Sequence, residues 1–467
     1  MAANPGKYQA CMKLPGFFML TLPTPRTLQQ AVESAFTRQF ALIENLAPDR
    51  LATVYHPGIN PPLWEGGHAA FFYESFLLRP WLQRPPLMPG FDPVWDSFDI
   101  DHEDRWLPGV VPDRTATLAY MLRVKELVLE CLDKRPLTHG DVFLYRYAVA
   151  HQHMHVESMT WARQTLGYPP PPFMDVAPAS DAEPLSGEKD AQVPAGSYRI
   201  GMDVTDMSGQ ADEDFAFDAE KPGFLVNLPA FRIARTLVSN GEFLEFVAAG
   251  GYVNPEWWSW GGRKWLRALA PKDTDPARRE TFGPIACPIY WRKDEDAWQM
   301  RQFDRWLPLQ LDAPVMHVSY WEAEAYCNWA GRRLPTEYEW EAAAVARQPG
   351  SARQRFPWGD AMRTDRVDMD AARLPRAAAT ALAGGDSPFG CRQMLGSAWE
   401  WTASQFLPYA GFTHDMYPYM STLQFGYHKT ARGGSFATSS SLIRASYRQA
   451  YLPQRRDVFV GFRTCAR

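Results

Sequence analysis

The sequence predicts a multidomain α and α+β protein, in which a four-helix bundle precedes a loop-rich domain of short strands and helices. Three observations predict it. Up to about residue 172 the apolar residues recur at helical spacing in four segments. Residues 173–193, rich in Asp, Ala, Pro, Ser and Glu, carry no apolar periodicity and read as a linker. After Pro194 short apolar runs alternate with Gly, Pro and aromatic clusters, the texture of an α+β domain. The expected division is therefore 1–172, a linker at 173–193, and 194–467, and a chain of 467 residues has room for it.

The first helix is expected over residues 25–47, because Thr24-Pro25 offers a capping hydroxyl followed by a proline preset for the first turn. Apolar spacing places the next two over 63–82 and 114–134. The fourth runs over 139–166, where Thr138 and Asp141 supply capping oxygens, and Pro136 and the Pro169–Pro172 tract punctuate both sides. In the second domain, amphipathic helices are expected at Ser239–Ala248 and Tyr320–Ala330. A third, at Thr336–Ala346, is announced by the capping box Thr336 to Glu339. No fixed-period repeat is evident.

Composition excludes several function classes. Lys plus Arg number 48 against 53 Asp plus Glu, so no basic surface points to nucleic acid or to an anionic membrane. The most apolar early stretch, Leu14–Leu22, is broken by Pro15 and Thr21 and lacks a basic flank. No run approaches the roughly 20 apolar residues that span a bilayer. The six cysteines are scattered without a C-x-x-C, which fits reduced thiols in a cytoplasmic protein. An excess of aromatics, 18 Trp, 19 Tyr and 27 Phe beside 40 Pro, predicts long ordered loops held by large amphipathic side chains.

The sharpest chemical signal is His151-Gln152-His153-Met154-His155-Val156-Glu157 in the fourth helix. His151 and His155, four apart, share one face with about 6 Å between Cβ atoms, so both rings can reach one metal ion, whereas His153 points elsewhere. A hydrogen-bonded pair inside a bundle is the plainer reading of such spacing. His68 follows Gly66 and Gly67 on the second helix, and bundles build metal sites from facing helices. A packed core histidine is the plainer reading there.

Longer motifs add a resemblance. Trp64-x-x-x-His68-x-x-x-Phe72-x-x-x-x-Leu77, with His151-x-x-x-His155-x-Glu157, resembles the DinB-like bundle of the ergothioneine sulfoxide synthases. The second half resembles the formylglycine-generating-enzyme-type (sulfatase-modifying-factor) domain, a C-type-lectin-like fold. It does so through Pro194–Ser197, Pro314–Ala323, Gly331–Glu341, Gly396–Thr402, Arg432–Phe436 and Gly461–Arg463. The resemblance implies a nonheme Fe(II) held by His68, His151 and His155, O2 as cosubstrate, and hercynine as acceptor, with a chalcogen joined to imidazole C2. Neutral imidazoles suit Fe(II), and aromatic side chains can cradle a trimethylammonium group. Met154 and Met420 are taken as substrate-side residues. Glu157 leaves the face of the two histidines and reads as a hydrogen-bonding partner or a helix-surface charge. Trp399, Glu400, Trp401 and Gly433 read as structural braces.

Four departures refine the expectation. Copper-type formylglycine generation needs two cysteines shortly after the R-G-G-S motif, and residues 436–443 hold none. The family's tyrosine motif Y-x-x-Y-S, aligned on Ser421, makes Tyr417 the proton or electron donor and puts Met420 at the second tyrosine. Tyr419 and Tyr409 are rivals. Where thiol-using synthases carry N-W-D-x-P-x-R, this chain has Gln449-Ala450-Tyr451-Leu452-Pro453-Gln454-Arg455, so the acid that would pair an α-ammonium is Tyr451. Between Phe98 and Trp106, only Arg105 stands among four acids as a possible anion clamp. The pattern is similar to that of the selenoneine synthases, which use a selenosugar, and that is the first expectation. A thiol donor, γ-glutamylcysteine or cysteine, is the alternative, and a noncatalytic binding protein the third.

Overall fold

The computed structural model describes residues 24–51, 55–134, 136–176, 182–185, 187–203, 215–269, 286–374 and 377–467. Leu14–Leu22 lies outside them. The chain divides into two compact units. Met1–Arg163, Pro171–Phe173 and Asp203–Phe217 form unit 1, and Gln164–Pro170, Met174–Met202 and Asp218–Arg467 form unit 2.

Unit 1 is built on four helices: α1 (Pro25–Glu44), α2 (Pro62–Tyr73), α3 (Arg114–Lys134) and α4 (His139–Leu166). Thr24 caps α1 by accepting from the Thr27 N–H. Thr138 and Asp141 bond each other reciprocally at the start of α4. On α1 the buried positions Leu28, Val32, Ala35, Phe36, Leu42 and Ile43 form one stripe. Helix α2 is buried nearly all round. Two glycines let it in: a Cβ on Gly66 would lie 2.6 Å from Ile43 of α1, and one on Gly67 2.2 Å from the Trp95 ring. The expected single helix at 63–82 is interrupted. Glu74–Leu78 is a π-helical turn before a last turn at Arg79–Leu82. Its first residue, Glu74, is buried, accepts the Tyr120 hydroxyl at 2.6 Å and pairs with Arg79 at 3.0 Å. Those bonds satisfy a carboxylate that could not otherwise be buried.

Unit 2 has little regular structure for its size. One sheet has the order β1 (Asp190–Val193), β2 (Phe231–Ala234), β8 (Cys465–Ala466), β3 (Arg332–Arg333). A second has the order β6 (Gln449–Tyr451), β5 (Lys429–Arg432), β4 (Trp399–Gln405), β7 (Val460–Gly461). Strands Asp175–Val176 and β1 fall within the stretch 173–193. Helices α5 (Asn240–Ala248), α7 (Tyr320–Trp329) and α8 (Glu337–Val345) each open on a capping box, from Ser239, Ser319 and Thr336. Helix α6 (Trp260–Leu269) lies between the first two in the chain.

Buried ion pairs connect the loops. Arg463 forks onto Glu400 at 2.6 and 2.8 Å, and both side chains are fully buried. Arg448 forks onto Glu337 at 2.8 and 2.9 Å, Arg432 pairs with Glu341, and Arg444 with Glu220. Trp401 donates its Nε1–H to the Val318 carbonyl at 2.8 Å. Gly433 sits at φ 97°, where a Cβ would meet the Met394 carbonyl at 2.9 Å. Trp399, Glu400, Trp401 and Gly433 are thus the braces the sequence implies. Cys327, Cys391 and Cys465 are buried free thiols, and burial pushes each thiol pKa up. Among the described residues no helix is long and apolar enough to cross a membrane.

Arg463→Leu removes one half of a fully buried pair and strands Glu400. It is expected to cost unit 2 about 3–5 kcal/mol, read as a lower urea midpoint at unchanged m-value.

Candidate metal centre

Helix α2 presents His68 and helix α4 presents His151 and His155, one turn apart. The structure brings the three together. Each offers a ring nitrogen, and these atoms all lie within 4.8 Å of one another. The Nε2 atoms of His151 and His155 are 3.2 Å apart. Ring centroids are separated by 4.5 Å for His151 and His155, 4.8 Å for His68 and His155, and 5.2 Å for His68 and His151.

Groups outside the trio set its orientation. The Nδ1 of His68 lies 2.7 Å from the Trp95 carbonyl, so that nitrogen carries the proton and the Nε2 lone pair faces inward. His155 turns its Nδ1 onto the Glu65 carboxylate. Glu65 is buried and also accepts from Asn60 Nδ2 at 3.0 Å and Ser158 Oγ at 2.7 Å. Burial alone would raise its carboxyl, but His155, Asn60 and Ser158 together hold it below the usual carboxylate range. Aromatic walls close the sides. Trp64 stacks on His68 at 4.6 Å and 10°, Phe72 on His151 at 4.3 Å, and the Arg105 guanidinium lies 3.9 Å over Trp64.

Electrostatics favour ligation. Burial, helped by the neighbouring His155, pushes the His68 imidazole down to about 3 and holds His151 well below its usual range. Both are neutral near pH 7 and have lone pairs to give. Two nitrogens 3.2 Å apart can share one proton or one cation, and only a cation accepts both lone pairs together with the third. An all-imidazole donor set suits a first-row divalent metal such as Fe(II) and leaves positions for other ligands. The residues present fit the implied iron.

Sequence reasoning missed Glu65 and Trp95. Glu65 was legible as a carboxylate three residues before His68 on an apolar helix. Trp95 acts through a main-chain atom and has no such signature. Glu157 is buried, so it is not a helix-surface charge. Met154 is half-buried on α4 beside His155. Arg105, the candidate anion clamp, gives its guanidinium to Asn60 Oδ1 and to the carbonyls of Ser97 and Ile100.

The remaining candidates stand in unit 2. Tyr417 and Met420 belong to the loop around the turn Pro418–Met420, and Tyr417 meets Tyr419 edge-on at 6.1 Å. Tyr409, by contrast, is buried with its ring 4.0 Å from the Arg448 guanidinium, as a core residue would be. Gln449 and Tyr451 share one face of β6. Tyr451 lies 6.1 Å from Trp401, which lies 6.1 Å from Tyr320, and Lys429 sits 4.4 Å over the Tyr320 ring. Arg455 is forked onto Asp457 at 2.7 and 2.6 Å.

Residues 177–467 match the family model of the sulfatase-modifying factor enzyme 1-like domain, and residues 31–159 match that of the DinB superfamily. The chain is similar to the hercynine oxygenase of Mycolicibacterium smegmatis, 33% identical over 447 residues that cover 94% of this chain and 98% of the relative. The hercynine oxygenase of Mycobacterium tuberculosis is 33% identical, covering 95% and 99%. A formylglycine-generating enzyme of Streptomyces coelicolor is 30% identical over 316 residues, covering 64% of this chain and 95% of the relative.

Glu65→Gln keeps the shape of the side chain but weakens its hold on the His155 Nδ1–H. Metal affinity is expected to fall about 10–100-fold, measured by competition of the purified protein with a calibrated chelator.

Proposed function

The chain belongs to the hercynine oxygenase family of oxidative enzymes, a DinB bundle joined to a sulfatase-modifying-factor domain, and from that premise we propose that it joins a chalcogen to imidazole C2 of hercynine. The observation that carries the proposal is the three-histidine cluster, in which His68 and His151 are buried and held neutral. His68, His151 and His155 would hold Fe(II), which when bound supplies the one-electron and O2 chemistry that organic side chains lack.

The chain's own residues supply orientation, exclusion and a proton. The Trp95 carbonyl and Glu65 fix which nitrogen of His68 and His155 faces the metal. Trp64, Phe72 and the helices behind them keep bulk water from that side of the cluster. Tyr417 is assigned the proton donor, through its phenolic Oη. Formylglycine generation is set aside, because residues 436–443 lack its cysteine pair.

For the donor, membership among hercynine oxygenases favours the ergothioneine-type reaction with a thiol, γ-glutamylcysteine or cysteine, over the selenosugar that the donor segment alone puts first. One observation keeps the selenosugar as a second reading. The single cation of that segment, Arg455, is already engaged by Asp457, and Tyr451 stands where an acid would pair an ammonium group.

Anaerobic loading with Fe(II), then air, hercynine and both donors in competition, tests the proposal by product mass. His151→Ala is expected to lose iron and product together, and Tyr417→Phe to keep iron while slowing turnover about 10²-fold. A fully active, iron-free His151→Ala variant would sink the proposal.

Asp457→Ala frees Arg455 for a carboxylate on the donor. A charged hydrogen bond is worth about 1.5–3 kcal/mol, so KM for an anionic thiol donor should fall at least tenfold while KM for a neutral selenosugar does not.

A further inference from the structure

The segment that carries Tyr417 is held at both ends by one turn of the chain. Asp415 lies two residues before Tyr417, and its Oδ1 accepts Lys221 Nζ at 2.9 Å. Ser421 lies four residues after, and its Oγ donates to Asp218 Oδ2 at 3.0 Å. Asp218 and Lys221 are the two ends of a single 3-10 turn, closed by the Lys221 N–H on the Asp218 carbonyl at 3.0 Å. Asp218 and Ser421 are both buried, so the bond between them is sheltered from water.

The turn is itself immobilised. Glu220 Oε2 accepts Arg444 Nε and Ser446 Oγ, each at 2.7 Å. The Ala219 carbonyl accepts Arg448 at 2.7 Å, and the Glu220 carbonyl accepts the Met202 N–H at 2.8 Å. Between the two anchored ends, residues 416–420 include the edge-on pair Tyr417 and Tyr419 and the short turn Pro418–Met420. Local bonds close that turn, the Met420 N–H on the Tyr417 carbonyl at 3.2 Å and the Ser421 N–H on the Pro418 carbonyl, while the side-chain anchors tie it to the rest of unit 2.

We propose that the turn Asp218–Lys221 is a two-point clamp that positions the Tyr417 loop for reaction, with Asp218 and Lys221 as positioning residues acting through Ser421 and Asp415. The proposal rests on the assignment of Tyr417 as proton donor. A phenol displaced by about 1 Å loses on the order of 10²-fold in rate without any change in what binds. The clamp therefore acts on turnover and not on affinity.

The test uses the full-length, iron-loaded enzyme and four variants: Ser421→Ala, Asp218→Ala, Lys221→Met and the conservative Asp218→Asn, which keeps an acceptor for Ser421. Hydrogen exchange of residues 415–421 is read beside kcat, hercynine KM and iron content. Ser421→Ala, the mildest change, is expected to speed exchange in that segment alone and to lower kcat about tenfold or more, with KM and iron within about twofold. Asp218→Ala should do the same, and Asp218→Asn should leave exchange and kcat as in the parent enzyme. Ser421→Ala with Lys221→Met should add, because they release opposite ends of the segment.

Unchanged exchange in Ser421→Ala and Lys221→Met overturns the clamp. Faster exchange with unchanged kcat overturns its role in turnover. Tyr417→Phe then locates the failure. A fully active Tyr417→Phe means that the tyrosine assignment was wrong, and an impaired one means that the loop positions itself.

Discussion

Two buried imidazoles, His68 and His151, can lie against a third in a helical core only while they are uncharged, and the residues packed around them serve that constraint. A proton on either would be a cation without solvent, a few ångströms from two other rings. Rings that are to ligate have in turn to be told which nitrogen points inward. His68 is told by a backbone carbonyl and His155 by a buried carboxylate. Each instruction requires a close approach. Gly67 lets the Trp95 ring lie flat on α2, which brings the Trp95 carbonyl to His68, and Gly66 lets α2 sink against Ile43 and Met121. The glycines, the carbonyl and the carboxylate are one device.

Unit 2 solves a different problem, the fixing of long loops around short strands. It does so with guanidinium groups forked onto buried carboxylates. Such pairs add little net stability over an apolar contact of the same size, but they leave few alternative arrangements in which every charge is matched. Arg432, Arg444, Arg448 and Arg463 each reach from one loop or strand end to another far away in the chain. The result is a frame in which the strand carrying Gln449 and Tyr451 is fixed, with Tyr451 itself buried.

The sequence was most legible where periodicity and caps act over a few residues. The bundle helices at 114–134 and 139–166 lie where apolar spacing and the Thr138 and Asp141 oxygens put them, because those signals are the local causes of a helix. The π-turn after Tyr73 left no mark in spacing, since it depends on partners of Glu74 from elsewhere. The histidine pair on α4 was legible as i and i+4, but its meeting with His68 is a tertiary fact, carried in the sequence only by resemblance to a family. Glu65 was in plain view beside His68 and was overlooked because its role depends on where His155 arrives. Arg105 and Arg455 look like free cations in the sequence. The structure gives one to carbonyls and the other to Asp457, and no string of letters records such a pairing.

The sheltered thiols have a further consequence. Thiol–disulfide exchange needs an exposed thiolate, and Cys327, Cys391 and Cys465 are neither exposed nor inclined to ionise. A thiol or selenol in the surrounding solution therefore finds no exchange partner among them. It cannot be scavenged as a mixed disulfide or selenosulfide at those positions, and oxidants that escape the site do not meet a reactive sulfur of the scaffold there. The core of unit 2 keeps these three sulfurs out of exchange chemistry.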